Sequence, residues 1–181
     1  MAERIFKRKI YDKILDWKRT NNGQTALLIE GARRVGKSTI VEQFAKNEYK
    51  SYILIDFNKA SQEVKSLFDD LMDLDFVFLR LQQLYKTVLS KRQSVIIFDE
   101  VQQFPRARTA IKYLVADGRY DYLETGSLIS IRKNVKDIVI PSEERSITMY
   151  PMDFEEFLWA MGNENLMPLL QKRLSQGKPM K

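Results

Sequence analysis

The sequence predicts an α/β protein with a mostly parallel five-stranded sheet and helices on both faces. Two patterns and one motif carry that expectation. Short apolar runs alternate with longer stretches of helical period, as buried parallel strands alternate with crossover helices. Gly31-Ala32-Arg33-Arg34-Val35-Gly36-Lys37-Ser38 matches G-x-x-x-x-G-K-[ST] in full and lies between such a run and such a stretch. Val95-Ile96-Ile97-Phe98 runs directly into Asp99-Glu100, which sets two carboxylates at the C-terminal end of a buried strand. Open α/β sheets bind ligands at that end.

Taken in order, residues 4–20 read as a helix. Phe6, Ile10, Ile14 and Trp17 share its apolar face, and Lys7, Arg8, Lys9, Lys13, Lys18 and Arg19 occupy the rest. Asn21-Asn22-Gly23 ends it as a turn. A strand over 25–30 leads into the glycine motif, and a helix runs on to about Asn47. Tyr52–Phe57 is a second strand. Helices follow over 61–74, capped by Ser61, and over about 75–89 with Val88 turned inward. Ser94–Glu100 is the third strand. Pro105 starts a helix that Asp117-Gly118 stops. Tyr120–Thr125 is the fourth strand, and 138–140 and 146–150 are short extended segments. Asp153, with Glu156 three residues later, opens a helix as a capping box, and Phe154, Phe157, Leu158 and Met161 mark one face of it.

Bulk composition narrows the chemistry. A chain of 181 residues suits about one domain. It divides into an N-terminal amphipathic helix over 1–24, a core over 25–150, and a C-terminal helical segment and tail over 151–181. With no Cys and no His, disulfides, thiolate metal sites and imidazole acid/base catalysis are excluded. A bound metal must be held by oxygen, which points to Mg²⁺. No apolar run is long enough to span a bilayer and no apolar signal core opens the chain, so stable membrane insertion is not expected and a cytoplasmic location is. The net charge of +6 lies entirely in residues 1–50, which hold 12 Lys/Arg against 6 Asp/Glu. A phosphate site and a solvated helix face account for that excess; a nucleic-acid surface is the alternative.

The glycine motif explains itself chemically. Gly31 and Gly36 permit backbone angles and close approach that a Cβ would hinder. Amides from Ala32 through Arg33, Arg34 and Val35 to Lys37, Ser38 and Thr39 can then face a phosphate chain at a helix N-terminus. Lys37 adds a mobile positive charge, and Ser38 a hydroxyl for Mg²⁺. Asp99 suits the same metal, and Glu100 suits orienting or deprotonating an attacking water. Thr125-Gly126-Ser127, at the end of the next strand, offers a hydroxyl from Thr125 or Ser127 to the γ-phosphate or that water. Asn58-Lys59-Ala60-Ser61 has Ser where a guanine-reading N-K-x-D motif needs Asp, so ATP is the expected nucleotide.

Four segments occur in order: Gly31–Thr39, Ile97-Phe98-Asp99-Glu100-Val101-Gln102, Thr125-Gly126-Ser127 and Pro151-Met152-Asp153-Phe154-Glu155-Glu156-Phe157-Leu158. Together they resemble a prokaryotic AAA-type P-loop ATPase family with a G-A-R-R-V-G-K-[ST] loop, a D-E-x-Q acidic strand, a T-G-S motif and a P-L-S-F-x-E-F segment. The resemblance implies the additional-strand class with sheet order 5-1-4-3-2. It also implies an ATPase acting on DNA or protein, and a phosphate or intersubunit role for Arg145. Met152-Asp153 departs from the usual Leu-Ser. Family members commonly continue into a C-terminal domain, so Phe154, Phe157, Leu158 and Trp159 are expected to be partly exposed and to invite homo-oligomer formation. A nucleotide-dependent binding switch with negligible turnover is the other function these residues allow.

Overall fold

The computed structural model describes residues 6–127 and 142–175. In chain order the elements are α1 (Ile10–Asn21), β1 (Ala26–Gly31), α2 (Lys37–Glu48), β2 (Ser51–Asp56), α3 (Gln62–Ser66) and α4 (Leu74–Tyr85). They continue with β3 (Ser94–Asp99), a 3₁₀ turn (Val101–Gln103), α5 (Pro105–Asp117), β4 (Asp121–Ser127), β5 (Glu144–Met149), α6 (Phe154–Ala160) and α7 (Leu166–Ser175). The strands lie in the order β2-β3-β4-β1-β5, and every neighbouring pair is parallel. This is the expected 5-1-4-3-2 sheet. Parallel register brings the strand ends together: Asp56 lies opposite Asp99, and Gly31 lies between Ser127 and Met149.

Alternate residues along the strands feed two apolar layers. Leu27, Ile29, Val95, Ile97 and Leu123 meet Ile10, Ile14 and Trp17 of α1 and Ile40, Val41 and Phe44 of α2. On the other face Ile53, Ile55, Ile96, Phe98 and Tyr122 meet Val77, Phe78 and Leu81 of α4 and Ala107, Ala110, Ile111 and Leu114 of α5. Phe57, Phe68, Phe98 and Phe104 form a ring cluster with centroids 5.3–6.2 Å apart. Each such pair adds about 0.5–1.5 kcal/mol beyond its burial.

Three expected boundaries shift, each for a local reason. The first helix begins at Ile10 rather than residue 4, because Glu156 Oε1 accepts the Lys9 amide at 2.7 Å and the preceding residues run toward the glycine loop. Phe6 therefore leaves the core face and lines a surface cleft. The expected helix over 61–74 is only α3: Asp70 Oδ1 accepts the Met72 amide at 2.9 Å, and Asp73 caps α4 by accepting the Phe76 amide at 2.9 Å. α4 in turn stops at Tyr85, where Lys86 takes a left-handed conformation and the Thr87 amide donates back to Gln82 O at 3.0 Å. Val88 consequently faces solvent instead of the core. The segments over 130–137 and 138–140 lie outside the described residues.

One buried polar cluster crosses the sheet away from the strand ends. Arg108 on α5 grips Glu144 on β5 with two hydrogen bonds of 2.8 and 2.7 Å. Beside them Glu124 on β4 is fully buried, and neither of its carboxylate oxygens has a hydrogen-bond partner among the described residues. Burial, then the neighbouring Glu144 charge, pushes the Glu124 carboxyl well above the ordinary range, against a smaller opposing pull from Arg108. A raised folded-state pKa means the contribution of this group to stability is complete below the unfolded pKa. It is lost as pH rises toward the folded pKa. Glu124→Gln should therefore gain stability over the parent as pH rises above the unfolded carboxyl value of about 4.3, by up to about 1.4 kcal/mol per pH unit. Urea denaturation across that range checks this; parallel curves for the two proteins would contradict it.

Candidate functional site

The glycine loop joins β1 to α2 at the C-terminal edge of the sheet. Gly31 is required by a neighbour: a Cβ there would stand 2.3 Å from Met149 O of β5. Gly36 is required by its backbone, since at φ 95° it turns the chain into the first residue of α2. Arg34 adopts φ 63° between them, a conformation that costs a non-glycine residue about 1–2 kcal/mol. Lys37 is buried, and its ammonium bonds Ala32 O at 2.8 Å and Gly31 O at 3.3 Å. Burial pushes its pKa down, and the nearby Glu100 and Asp99 charges act against that. Arg33, Arg34 and Thr39 are exposed around the loop.

β3 and β4 deliver the rest of the cluster. Asp99 Oδ1 accepts the Ser38 hydroxyl at 2.7 Å and the Thr125 hydroxyl as well. Thr125 Oγ1 in turn accepts the Glu100 amide at 3.1 Å. That contact requires Glu100 to leave the strand at φ 56°, a second left-handed non-glycine residue at the same edge. Backbone strain of this kind persists where the surroundings over-determine it, and it concentrates at functional sites. The Glu100 carboxylate accepts from Gln102 Nε2, and Gln102 Oε1 accepts the Ser127 amide at 3.4 Å. Ser127 is thus engaged through its backbone, whereas Thr125 contributes its hydroxyl.

Ser38, Asp99, Glu100, Thr125, Ser127 and the loop from Gly31 to Thr39 therefore converge. Arg145 does not. It pairs in register with Leu27 at the start of β5, four residues and about 13 Å along the strand from Gly31. There it is exposed beside Asp12, Asp16 and Thr20 of α1. A contact between Arg145 and phosphate within one chain is inconsistent with that placement.

Sequence reasoning missed Arg8. Read as a solvated charge on a helix, it is instead buried across the back of the loop. Its Nη1 donates to Val35 O at 2.9 Å, its Nη2 to Tyr150 O at 2.6 Å, and its Nε lies 3.3 Å from Glu156 Oε1. Glu156 also completes the capping box of α6 with Asp153. Neighbouring lysines serve the same junction: Lys9 meets Asp153 and Glu155 at 2.6 and 2.7 Å, and Lys7 lies 4.7 Å over the Trp159 ring. Arg8 and Lys9 are therefore matched by acidic residues at the start of α6 rather than displayed for an anionic partner. No periodicity distinguishes Arg8 from its neighbours; only the acidic capping box far along the chain hints at a basic counterpart.

Next to this clasp, Phe6, Arg8, Val35, Gly36, Thr39, Ile40, Gln43, Met149 and Met152 line a cleft of about 230 Å³ that opens beside the loop. The oxygen Gln43 Oε1 is buried and has no hydrogen-bond partner among the described residues. Ser38 Oγ and Asp99 Oδ1 supply two hard oxygens at one point, which suits Mg²⁺. Among the described residues no group of three acidic side chains is placed to hold a metal ion, so further ligands would have to come from phosphate and water.

Arg8→Ala removes three polar contacts and leaves a buried Glu156 oxygen without its charge partner. It should destabilise the protein by about 2–4 kcal/mol in urea denaturation. Lys7→Ala, at an exposed pair, should change stability by less than about 1 kcal/mol. Equal losses from the two substitutions would contradict the assigned role of Arg8.

A family profile described as an AAA domain matches residues 23–158. Comparison with curated proteins returned no match. A structure of Aeropyrum pernix ORC1 in complex with DNA aligns over 97% of this chain and 51% of its own, with a TM-score of 0.52 and 12% identity. A structure of C. elegans PCH-2 aligns over 94% and 48%, with a TM-score of 0.45 and 13% identity. The chain spans about half the length of these two proteins, and at such identities the likeness concerns the fold alone. Among the described residues no helix is long and apolar enough to cross a membrane. With three quarters of its length under the family profile, the chain belongs to the AAA domain family.

Proposed function

We propose that this AAA domain binds ATP with Mg²⁺ and hydrolyses it, coupling the cycle to a DNA or protein partner. The supporting observation is the meeting of the Ser38 and Thr125 hydroxyls on one Asp99 oxygen, with Lys37 and Glu100 alongside. Lys37 and the loop amides hold the β- and γ-phosphates. Ser38 and Asp99 would hold the metal, which when bound would offset charge on the transferred phosphoryl group. Glu100 orients the attacking water and takes its proton, and Thr125 fixes the Glu100 backbone. The low pull on the Lys37 proton from burial is offset once a polyanion lies against it, so nucleotide binding favours the charged ammonium.

The cleft beside the loop seats the base. Gln43 Oε1 is buried without a partner among the described residues, and its carboxamide, which holds an acceptor and donors together, is placed to pair with the polar edge of a purine. The position of Arg145, far from the loop of its own chain, favours a second reading in which the domain is a nucleotide-dependent switch with little intrinsic turnover.

Lys37→Ala should weaken ATP binding by about 100-fold or more, near 2.7 kcal/mol. Glu100→Gln should bind ATP within about threefold of the parent and hydrolyse it at least about 100-fold more slowly. Fluorescent-nucleotide titration and phosphate release measure the two quantities. A Glu100→Gln protein that turns over like the parent would remove Glu100 from the chemistry, and a parent that binds without turnover would establish the switch. Gln43→Leu should weaken ATP binding about 10-fold in the same titrations, since a lost buried hydrogen bond to the base costs about 1–3 kcal/mol. An unchanged affinity would place the base elsewhere.

A further inference from the structure

We propose that Gln102 is a positioning residue for Glu100, holding its carboxylate and tying it to the end of β4; this rests on the reading of Glu100 as the group that handles the attacking water. Gln102 is almost fully buried and sits in the 3₁₀ turn that follows Glu100. The turn is closed by the Gln103 amide on Glu100 O at 2.9 Å and the Phe104 amide on Val101 O at 3.1 Å. Its side chain thus springs from a fixed backbone, two residues beyond the strained Glu100.

Hydrogen-bond chemistry allows the amide one orientation. The Ser127 N–H can only donate, so it takes Oε1; the Glu100 carboxylate can only accept, so it takes Nε2. Gln is the side chain that meets both demands at this reach. Glu in its place would set two carboxylates together, and Met would fill the volume while serving neither. Glu100 is consequently held at two points: its amide by Thr125 Oγ1 and its carboxylate by Gln102. Both tethers lead to β4, one from Thr125 and the other from Ser127. A displacement of that strand end therefore reaches the Glu100 carboxylate through two hydrogen bonds, without passing through the Asp99 carboxylate.

Without the Nε2 donor the Glu100 carboxylate is no longer held in one place, although the phosphate loop is untouched. Gln102→Met should therefore leave ATP affinity within about twofold and lower kcat about 10-fold or more. Gln102→Glu, which sets a second carboxylate against the first, should lower kcat at least as far. Nucleotide titration, phosphate release and urea denaturation read the three quantities separately: a positioning role lowers kcat while ATP affinity and the urea midpoint stay near the parent's. Glu100→Gln serves as the reference. If Glu100→Gln hydrolyses ATP at the parent's rate, the reading of Glu100 itself falls. If Glu100→Gln is inactive while Gln102→Met keeps the parent's kcat, the role of Gln102 alone is overturned. A Gln102→Met protein that loses nucleotide affinity and stability together with kcat would also overturn it, as a purely structural effect.

Discussion

Asp99 stands where three elements end, and one of its carboxylate oxygens collects hydroxyl protons from two of them. Ser38 reaches it from the first turn of α2, Thr125 from β4, and Asp99 itself closes β3. Hydrogen bonds to an ionised group are roughly twice as strong as neutral ones. Each here joins residues more than twenty positions apart in sequence, so the contact fixes the spacing of the loop against two strands. Glu100, Gln102 and Ser127 arrange themselves around that fixed point.

The sheet makes the meeting unavoidable. In an all-parallel register every strand ends at the same edge, and the residues just past those ends share one crevice. The order β3-β4-β1 sets the acidic strand beside the hydroxyl strand and the hydroxyl strand beside the glycine loop. β5 completes the edge by pressing its Met149 carbonyl against Gly31, which is why the loop's first glycine bears no side chain. The clasp built on Arg8 then braces the loop from behind through Val35 O, joining it to α6. Two apolar layers beneath hold these positions rigid, with Phe44, Ile97 and Leu123 wholly buried on one side and Ile55 and Phe57 on the other. Each such side chain contributes about 1.5–3 kcal/mol relative to exposure.

Much of this was legible before any coordinates. Strand identity and sheet class followed from short apolar runs, because a doubly covered parallel strand has little choice of composition. The glycine loop, Asp99 and Glu100 were legible because their chemistry demands particular residue types at fixed spacing. The strand order came from resemblance alone, since nothing in an apolar run names its neighbour. Boundaries that depended on side-chain capping were misjudged: Asp70 and Asp73 interrupt an apparently continuous helical period by offering the backbone a competing acceptor. Arg8 was misread because helical spacing cannot separate a solvated cation from one that folds back onto a distant carbonyl. The distance of Arg145 from the glycine loop was not legible, because motif order along a chain does not report distance along a strand. Gln102 was visible within a motif, but its role depends on a left-handed residue at Glu100 that no propensity would assign there.

The central claim is that Ser38 and Asp99 form a divalent-metal point beside a triphosphate cradle. Isothermal titration of the intact chain with ATP, once in Mg²⁺ and once in EDTA, tests it most directly when repeated with Asp99→Ala. The account predicts tighter binding in Mg²⁺ for the parent and loss of that Mg²⁺-dependent gain in the variant. Equal affinity in Mg²⁺ and EDTA, or no heat from ATP in either, would contradict it.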